Sequence, residues 1–316
     1  LIVAAIDQQQ PRGASWSGIG NLLIVYLVWG STYFAVKVAV TGPAAIAPLQ
    51  LQTWRIWAAS ALLIALAMFR TKRLPALSVR QLVICAVSGI LMWAGGNGLA
   101  TLASRHAASG FVVMAMGVIP IWTTLISSII ERTRPSHGTV AGLALGLLGL
   151  VLVVGPPVVL ANDASVEIGY SLWLAFVLCA AGMTWSLGSL IQKPLFKTIS
   201  PVWAAGLQTL AAAIVLTGIC SASGITLAPP VDLSFSQIAA FLYLVICGSV
   251  ISLLAYIAVI RLYPPAIAST FAYVNPLVGV LLGWIVLGEE PALISLVGIS
   301  VILAGVAVIM MTPRRN

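Results

Sequence analysis

The side chains that could handle a small solute in this chain are aromatic rings, amides, hydroxyls and two cations. Trp29 shares a helical face with Thr32 and Tyr33, and Trp185 shares one with Gly188 and Ser189. Trp93, Gly96 and Asn97 make a third group, and Ser249, Ser252 and Tyr256 a fourth. Pro120 and Pro276 each remove a backbone donor, freeing the carbonyls of Met116 and Ala272, so both are expected helix breaks. Thr270, Tyr273 and Asn275 lie beside the second. Asn97 and Asn275 are the most informative polar positions, because an amide in apolar surroundings must find partners. Lys37 and Arg55 are the cations. They are candidates for contact with a solute carboxylate, or for snorkelling to the outer headgroups. The tryptophans could equally be packing residues and the prolines simple kinks; Gly142, Gly146 and Gly149 suit close helix approach.

Other chemistry is missing its parts. The two histidines, His106 and His137, fall at segment ends, and no acid lies inside an apolar segment, so a nucleophile with its base is not assembled. Cys85, Cys179, Cys220 and Cys247 share no metal-ligand or CxxC spacing and read as small apolar residues. Neither enzyme activity, metal nor cofactor is expected.

The elements that position these groups follow from composition. With 316 residues, 61% hydrophobic and 7% charged, the chain departs from soluble domains, which carry about 25% charged residues. A helical span needs about 20 apolar residues. Ten such segments occur, at 19–40, 48–69, 82–102, 106–130, 138–158, 169–191, 201–222, 236–259, 265–287 and 293–312. They are apolar on every face, which excludes the alternating pattern of a β-barrel. The expected fold class is an all-α membrane protein with ten transmembrane helices. Lys37 and Arg55 then sit in the outer half, roughly 11 Å from the midplane. The first dozen residues, ending in the polar run Asp7 to Arg12, receive no structural role.

Loop charges orient the bundle. With a cytoplasmic N-terminus, twelve of the fifteen basic residues lie inside, only Arg105 lies outside, and Lys37 and Arg55 are within spans. Both termini are therefore expected in the cytoplasm, with the Asp163/Glu167 and Asp232 loops outside. The net charge of +8 does not mark nucleic-acid binding, since the basic residues are dispersed among short loops.

The halves align at an offset of 156 residues without a gap. Trp29 meets Trp185, Lys37 meets Lys193, Gln52 meets Gln208, and Arg105 meets Arg261. Pro120, Pro135, Gly142 and Gly149 meet Pro276, Pro291, Gly298 and Gly305. Five spans per repeat inverts the second half, which is a secondary-transporter architecture with a site near the midplane.

The segment Trp29 to Lys37, the stretch Asn275-Pro276-Leu277 running to Gly288-Glu289-Glu290-Pro291, and Gly298 with Gly305 resemble the drug/metabolite transporter superfamily, EamA type. The resemblance covers 19–312 and implies two inverted five-helix EamA repeats, 19–158 and 169–312, in a metabolite exporter of a bacterial inner membrane. The first repeat departs from it with Arg132-Thr133 opposite Gly288-Glu289. Amino-acid exporters, aromatic ones included, are the expected kin. The expectation is alternating-access export of an aromatic or neutral amino acid by a monomeric uniporter in the lipid bilayer. Its site would be Trp29, Tyr33, Trp93, Asn97, Trp185, Tyr256, Tyr273 and Asn275. An anionic carrier of nucleotide-sugar or sugar-phosphate type would need more cations than Lys37 and Arg55. A receptor or scaffold has no need of an inverted repeat with centrally broken helices.

Overall fold

The computed structural model describes residues 16–40, 45–104, 106–107, 109–160, 171–228, 232–287 and 293–312. Arg105, Asp163, Glu167, Glu289, Glu290, Pro291 and both termini, on which several expectations rested, lie outside the described residues. Every regular element among the described residues is helical, and ten helical segments follow one another: α1 (Trp16–Val40), α2 (Pro48–Thr71), α3 (Val79–Ala103), α4 in two pieces (Ser109–Met116 and Ile119–Glu131), α5 (His137–Leu160), α6 (Ser171–Ile191), α7 (Pro201–Ala222), α8 (Phe235–Leu262), α9 in two pieces (Pro265–Ala268 and Phe271–Leu287) and α10 (Leu293–Met311). Eight stretches are long and apolar enough to cross a bilayer, and shorter apolar helices at Ile119–Glu131 and His137–Val153 supply α4 and α5. Large apolar side chains such as Phe69, Phe176 and Ile285 point outward, as hydrocarbon surroundings allow.

The helix packing shows the inversion. A Cβ added at Gly142 would come 2.8 Å from the Gly305 carbonyl oxygen, and one at Gly305 2.8 Å from that of Gly142. Gly149 and Gly298 meet in the same way, at 2.7 and 2.8 Å. Gly298 is the offset counterpart of Gly142, so a parallel arrangement would have paired those two. The observed cross-pairing makes the equivalent helices α5 and α10 antiparallel, at a distance only glycine permits. Helices α2 and α7 also run antiparallel: Trp57 Nε1 donates to Thr217 Oγ1 at 2.9 Å, while further along α2 Ser60 Oγ donates to the earlier Gly206 carbonyl at 3.2 Å. α1 packs on α8 and α9, and α6 packs on α3 and α4, an exchange of equivalents. The capping repeats too. Ser78 and Gln81 form a capping box at α3, and Ser234 and Gln237, each 156 residues later, form one at α8.

Local departures from α-helix fall near the centre. α3 becomes π-helical over Ile90–Gly98 and α8 over Leu244–Ile251, which the sequence reading did not anticipate. Of the two expected helix breaks, the one at Pro120 falls just before that residue, and the one at Pro276 needs correction. α4 breaks at Gly117–Val118, and Pro120 occupies the first turn of the following piece, where its missing donor costs nothing. α9 breaks at Ser269–Thr270, and Pro276 sits inside the continuous helix Phe271–Leu287. Hydroxyls tie off the α9 break: Ser269 Oγ donates to the Ala266 carbonyl at 3.1 Å, and Thr270 Oγ1 to that of Ile267 at 2.7 Å.

Candidate functional site

The π-helical turn of α8 presents a carbonyl sideways, and two side chains from the first repeat use it. Trp29 Nε1 donates to the Gly248 carbonyl at 3.0 Å, and Arg55 Nη2 donates to it at 3.3 Å. Arg55 Nε also donates to Ser249 Oγ at 2.6 Å, while that hydroxyl donates to the Leu244 carbonyl at 3.0 Å. The guanidinium lies 5.8 Å from the Trp93 ring centre. Arg55 is 4% exposed, so this cation is held inside the bundle and does not snorkel.

A cavity of about 280 Å³ lies beside it. It follows α1 from Trp29 to Val40, about 16 Å by helix rise, and is closed on the other sides by α3, α4, α6 and α9. Tyr33, Lys37, Arg55, Asn97 and Asn275 supply its polar wall. The deep end is ringed by Trp29, Trp185 and Phe271, with Tyr256 behind them. These four rings touch in every combination, with centres between 4.9 Å (Trp29 to Phe271) and 6.3 Å (Trp185 to Phe271). Four of these contacts are edge-on and the two from Tyr256 to the tryptophans are tilted, and together they make a firm apolar plug. The other end of the cavity reaches Val40, Ser104 and Ala107, where α1 and α3 finish.

Two buried polar atoms on this wall have no hydrogen-bond partner among the described residues: Trp185 Nε1, a donor, and Asn275 Oδ1, an acceptor. The Thr and Ser hydroxyls of the wall, by contrast, are spent on their own helices. Thr32 Oγ1 donates to the Trp29 carbonyl at 2.6 Å, Thr101 to that of Asn97 at 2.8 Å, and Ser104 to that of Thr101 at 2.6 Å. No Asp or Glu lines the cavity among the described residues.

Of the residues singled out from sequence, Trp29, Tyr33, Asn97, Trp185, Asn275, Lys37 and Arg55 line this cavity. Three do not. Trp93 is fully buried behind Trp185, 5.8 Å between ring centres, and forms the shelf under Arg55. Tyr256 backs the plug and donates from its hydroxyl to Ser189 Oγ at 3.0 Å. Tyr273 points to α5, its ring against Gly146 and its hydroxyl donating to the Leu143 carbonyl at 3.1 Å. The reason is helical phase: Asn275 and Phe271, four residues apart, share the cavity face, which leaves Tyr273 on the opposite one. Phe271 was missed because residue types alone do not say which face of α9 turns to the cavity. The Gly248 carbonyl was missed because π-helical geometry leaves no mark in residue types.

The EamA-like transporter family matches the chain twice, over residues 16–155 and 172–311. The chain is 30% identical over 294 residues to the "Uncharacterized inner membrane transporter YedA" of Escherichia coli K12, covering 92% of this chain and 89% of that one. It is 24% identical over 295 residues to the "Probable terminal-alkyne amino-acid exporter" of Streptantibioticus cattleyicolor, covering 91% of both. A crystal structure 19% identical in sequence superposes with a TM-score of 0.74 over 93% of this chain and 96% of the other, which shows the fold.

Proposed function

The chain belongs to the EamA-like transporter family of integral membrane proteins, and from that premise we propose that it exports an amino acid with an apolar side chain. The observation that carries this reading is the polarity of the cavity. It pairs two cations, Lys37 and Arg55, with an unpartnered amide oxygen on Asn275 and a wall of aromatic rings. A carboxylate is met by Arg55, an ammonium by Asn275 Oδ1, and an apolar side chain by the faces of Trp29, Trp185 and Phe271. A cavity of about 280 Å³ suits one small metabolite, lying just below the roughly 300–1,000 Å³ of drug-sized pockets. The printed name of the Streptantibioticus relative supports an amino acid as the cargo.

In this reading both termini are cytoplasmic, as the basic loops favour, and the cavity opens outward. The repeats, taken as 19–158 and 169–312, rock about the central plug within one monomer. Transport is uniport. All seven acids lie outside the spans, and neither histidine is deep, so no group in the membrane changes charge with a coupling proton.

Purified protein in liposomes, loaded in turn with radiolabelled amino acids and a sugar phosphate, tests the reading. Saturable efflux of aromatic or branched amino acids is expected. Binding without flux would make the protein a receptor, and preferential flux of the sugar phosphate would assign it to anionic carriers.

A further inference from the structure

On the far side of the aromatic plug lies a second, far smaller pocket of about 10 Å³, lined by Ser189, Lys193, Tyr256, Ile260, Tyr263 and Ala268 among others. Subtracting the 156-residue offset converts its lining into that of the open cavity. Lys193 falls on Lys37, Ser189 on Tyr33 and Ala268 on Val112. Tyr256, Ile260 and Tyr263 fall on Ala100, Ser104 and Ala107. The small pocket is the inverted image of the large one. Tyr256, Ile260 and Tyr263 are larger than Ala100, Ser104 and Ala107, but Ser189 and Ala268 are smaller than Tyr33 and Val112, so side-chain size alone does not close it.

Its closure is held by few polar contacts. Tyr256 donates to Ser189 Oγ at 3.0 Å, and Lys193 Nζ lies 4.0 Å from Glu131 Oε1 at the end of α4. Tyr263 lines the pocket, and its buried hydroxyl, which has no hydrogen-bond partner among the described residues, lies against Gly18 near the start of α1. A buried hydroxyl without a partner is unfavourable in a purely structural seal. It would gain water as a partner if this end of α8 moved away from α1 in another conformation.

We propose that this pocket is the collapsed vestibule of the opposite-facing state, in which Lys193 leaves Glu131 and draws in the solute's carboxylate, as its image Lys37 does for a carboxylate on its way to Arg55 on the open side. This inference rests on the transport reading for its ligand, but not for its geometry. The Glu131–Lys193 pair is then a latch: it contributes to the closed state and is absent from the open one. An ion pair this exposed contributes about 0–1 kcal/mol, so breaking it raises the population of the opposite-facing state by up to roughly five-fold.

The test uses the full chain with its four native cysteines replaced, and single cysteines at two image positions, Ser104→Cys and Ile260→Cys. The probe is the anionic, membrane-impermeant sulfonatoethyl methanethiosulfonate, applied from the side carrying Arg134 for position 260 and from the other side for position 104. Position 104 should label readily and position 260 slowly. Adding Glu131→Gln should speed labelling at 260 by roughly two- to five-fold with no rise at 104, and Lys193→Gln should do the same. An unchanged rate at 260, or equal rises at both positions, overturns the proposal. In flux, Lys193→Gln should raise the half-saturating amino-acid concentration about ten-fold from the Lys193 side only. An equal rise from both sides also overturns it. Reciprocal labelling in a protein that moves no amino acid supports the vestibule and sinks the assigned substrate.

Discussion

Replacing Arg55 with Gln is the sharpest probe of how the cavity holds its solute. The guanidinium has five N–H donors. Nε is committed to Ser249 Oγ and one Nη2 donor to the Gly248 carbonyl, which leaves three. A carboxylate accepts two of them side by side. A hydrogen bond to a charged group contributes about 1.5–3 kcal/mol, and 1.4 kcal/mol is a factor of ten in affinity. Arg55→Gln should therefore weaken binding of the amino acid by roughly 10- to 150-fold. The decarboxylated amine of the same side chain should lose almost nothing, because its missing carboxylate never met Arg55. Ser249→Ala supplies the control: it removes the brace on Nε but keeps the cation, and should cost only about 1 kcal/mol. Binding to purified protein, followed by quenching of tryptophan fluorescence, measures both ligands. Equal loss for amino acid and amine would show Arg55 to be a structural brace between α2 and α8. Unchanged binding of the amino acid would place the carboxylate elsewhere, with Lys37 the next position to test.

Gly149→Val should lower thermal stability by about 1–3 kcal/mol, read by size-exclusion chromatography after heating, since its Cβ would lie 2.7 Å from the Gly298 carbonyl oxygen. Gly218→Ala has open space around its Cβ and should leave stability unchanged or slightly raised. Trp29→Phe keeps a ring in the plug but deletes the donor to Gly248, and should cost about 1 kcal/mol of stability. Trp29→Ala should also abolish saturable flux, and retained saturation would remove the plug from the mechanism. A cysteine in place of exposed Asp232 should react with an impermeant reagent added outside cells and one in place of Arg134 should not; the reverse pattern would invert the topology. An inward proton gradient with equal amino acid on both sides should drive no accumulation, and uphill movement that collapses with a protonophore would end the uniport reading.

Much of this architecture was written in residue types. Twenty-residue apolar segments leave a backbone no solution but helix in lipid, because each peptide group must be paired within its own segment. The 156-residue recurrence of Trp, Lys, Pro and Gly carried the repeat, and an odd number of spans carried the inversion. Rare polar and aromatic residues in a composition of Leu, Val and Ala were visible for the same reason, which is how Trp29, Trp185, Asn275 and Arg55 could be picked out. What each of them faces was decided only in the tertiary structure. A helix apolar on all sides has no sequence signal for its rotation, so Tyr273 and Asn275 looked alike although one faces α5 and the other the cavity. The breaks at Gly117–Val118 and Ser269–Thr270 shift that rotation further, and prolines were uneven guides, because Pro120 follows its break as a helix start whereas Pro276 is absorbed in a continuous helix. The sideways Gly248 carbonyl, which orients both Trp29 and Arg55, exists through π-helical geometry that no residue type encodes. Which vestibule stands open is likewise a matter of helix packing: the 156-residue repeat gives both sides a lysine and matching helix positions, and only the tertiary structure shows one pocket wide and its image collapsed.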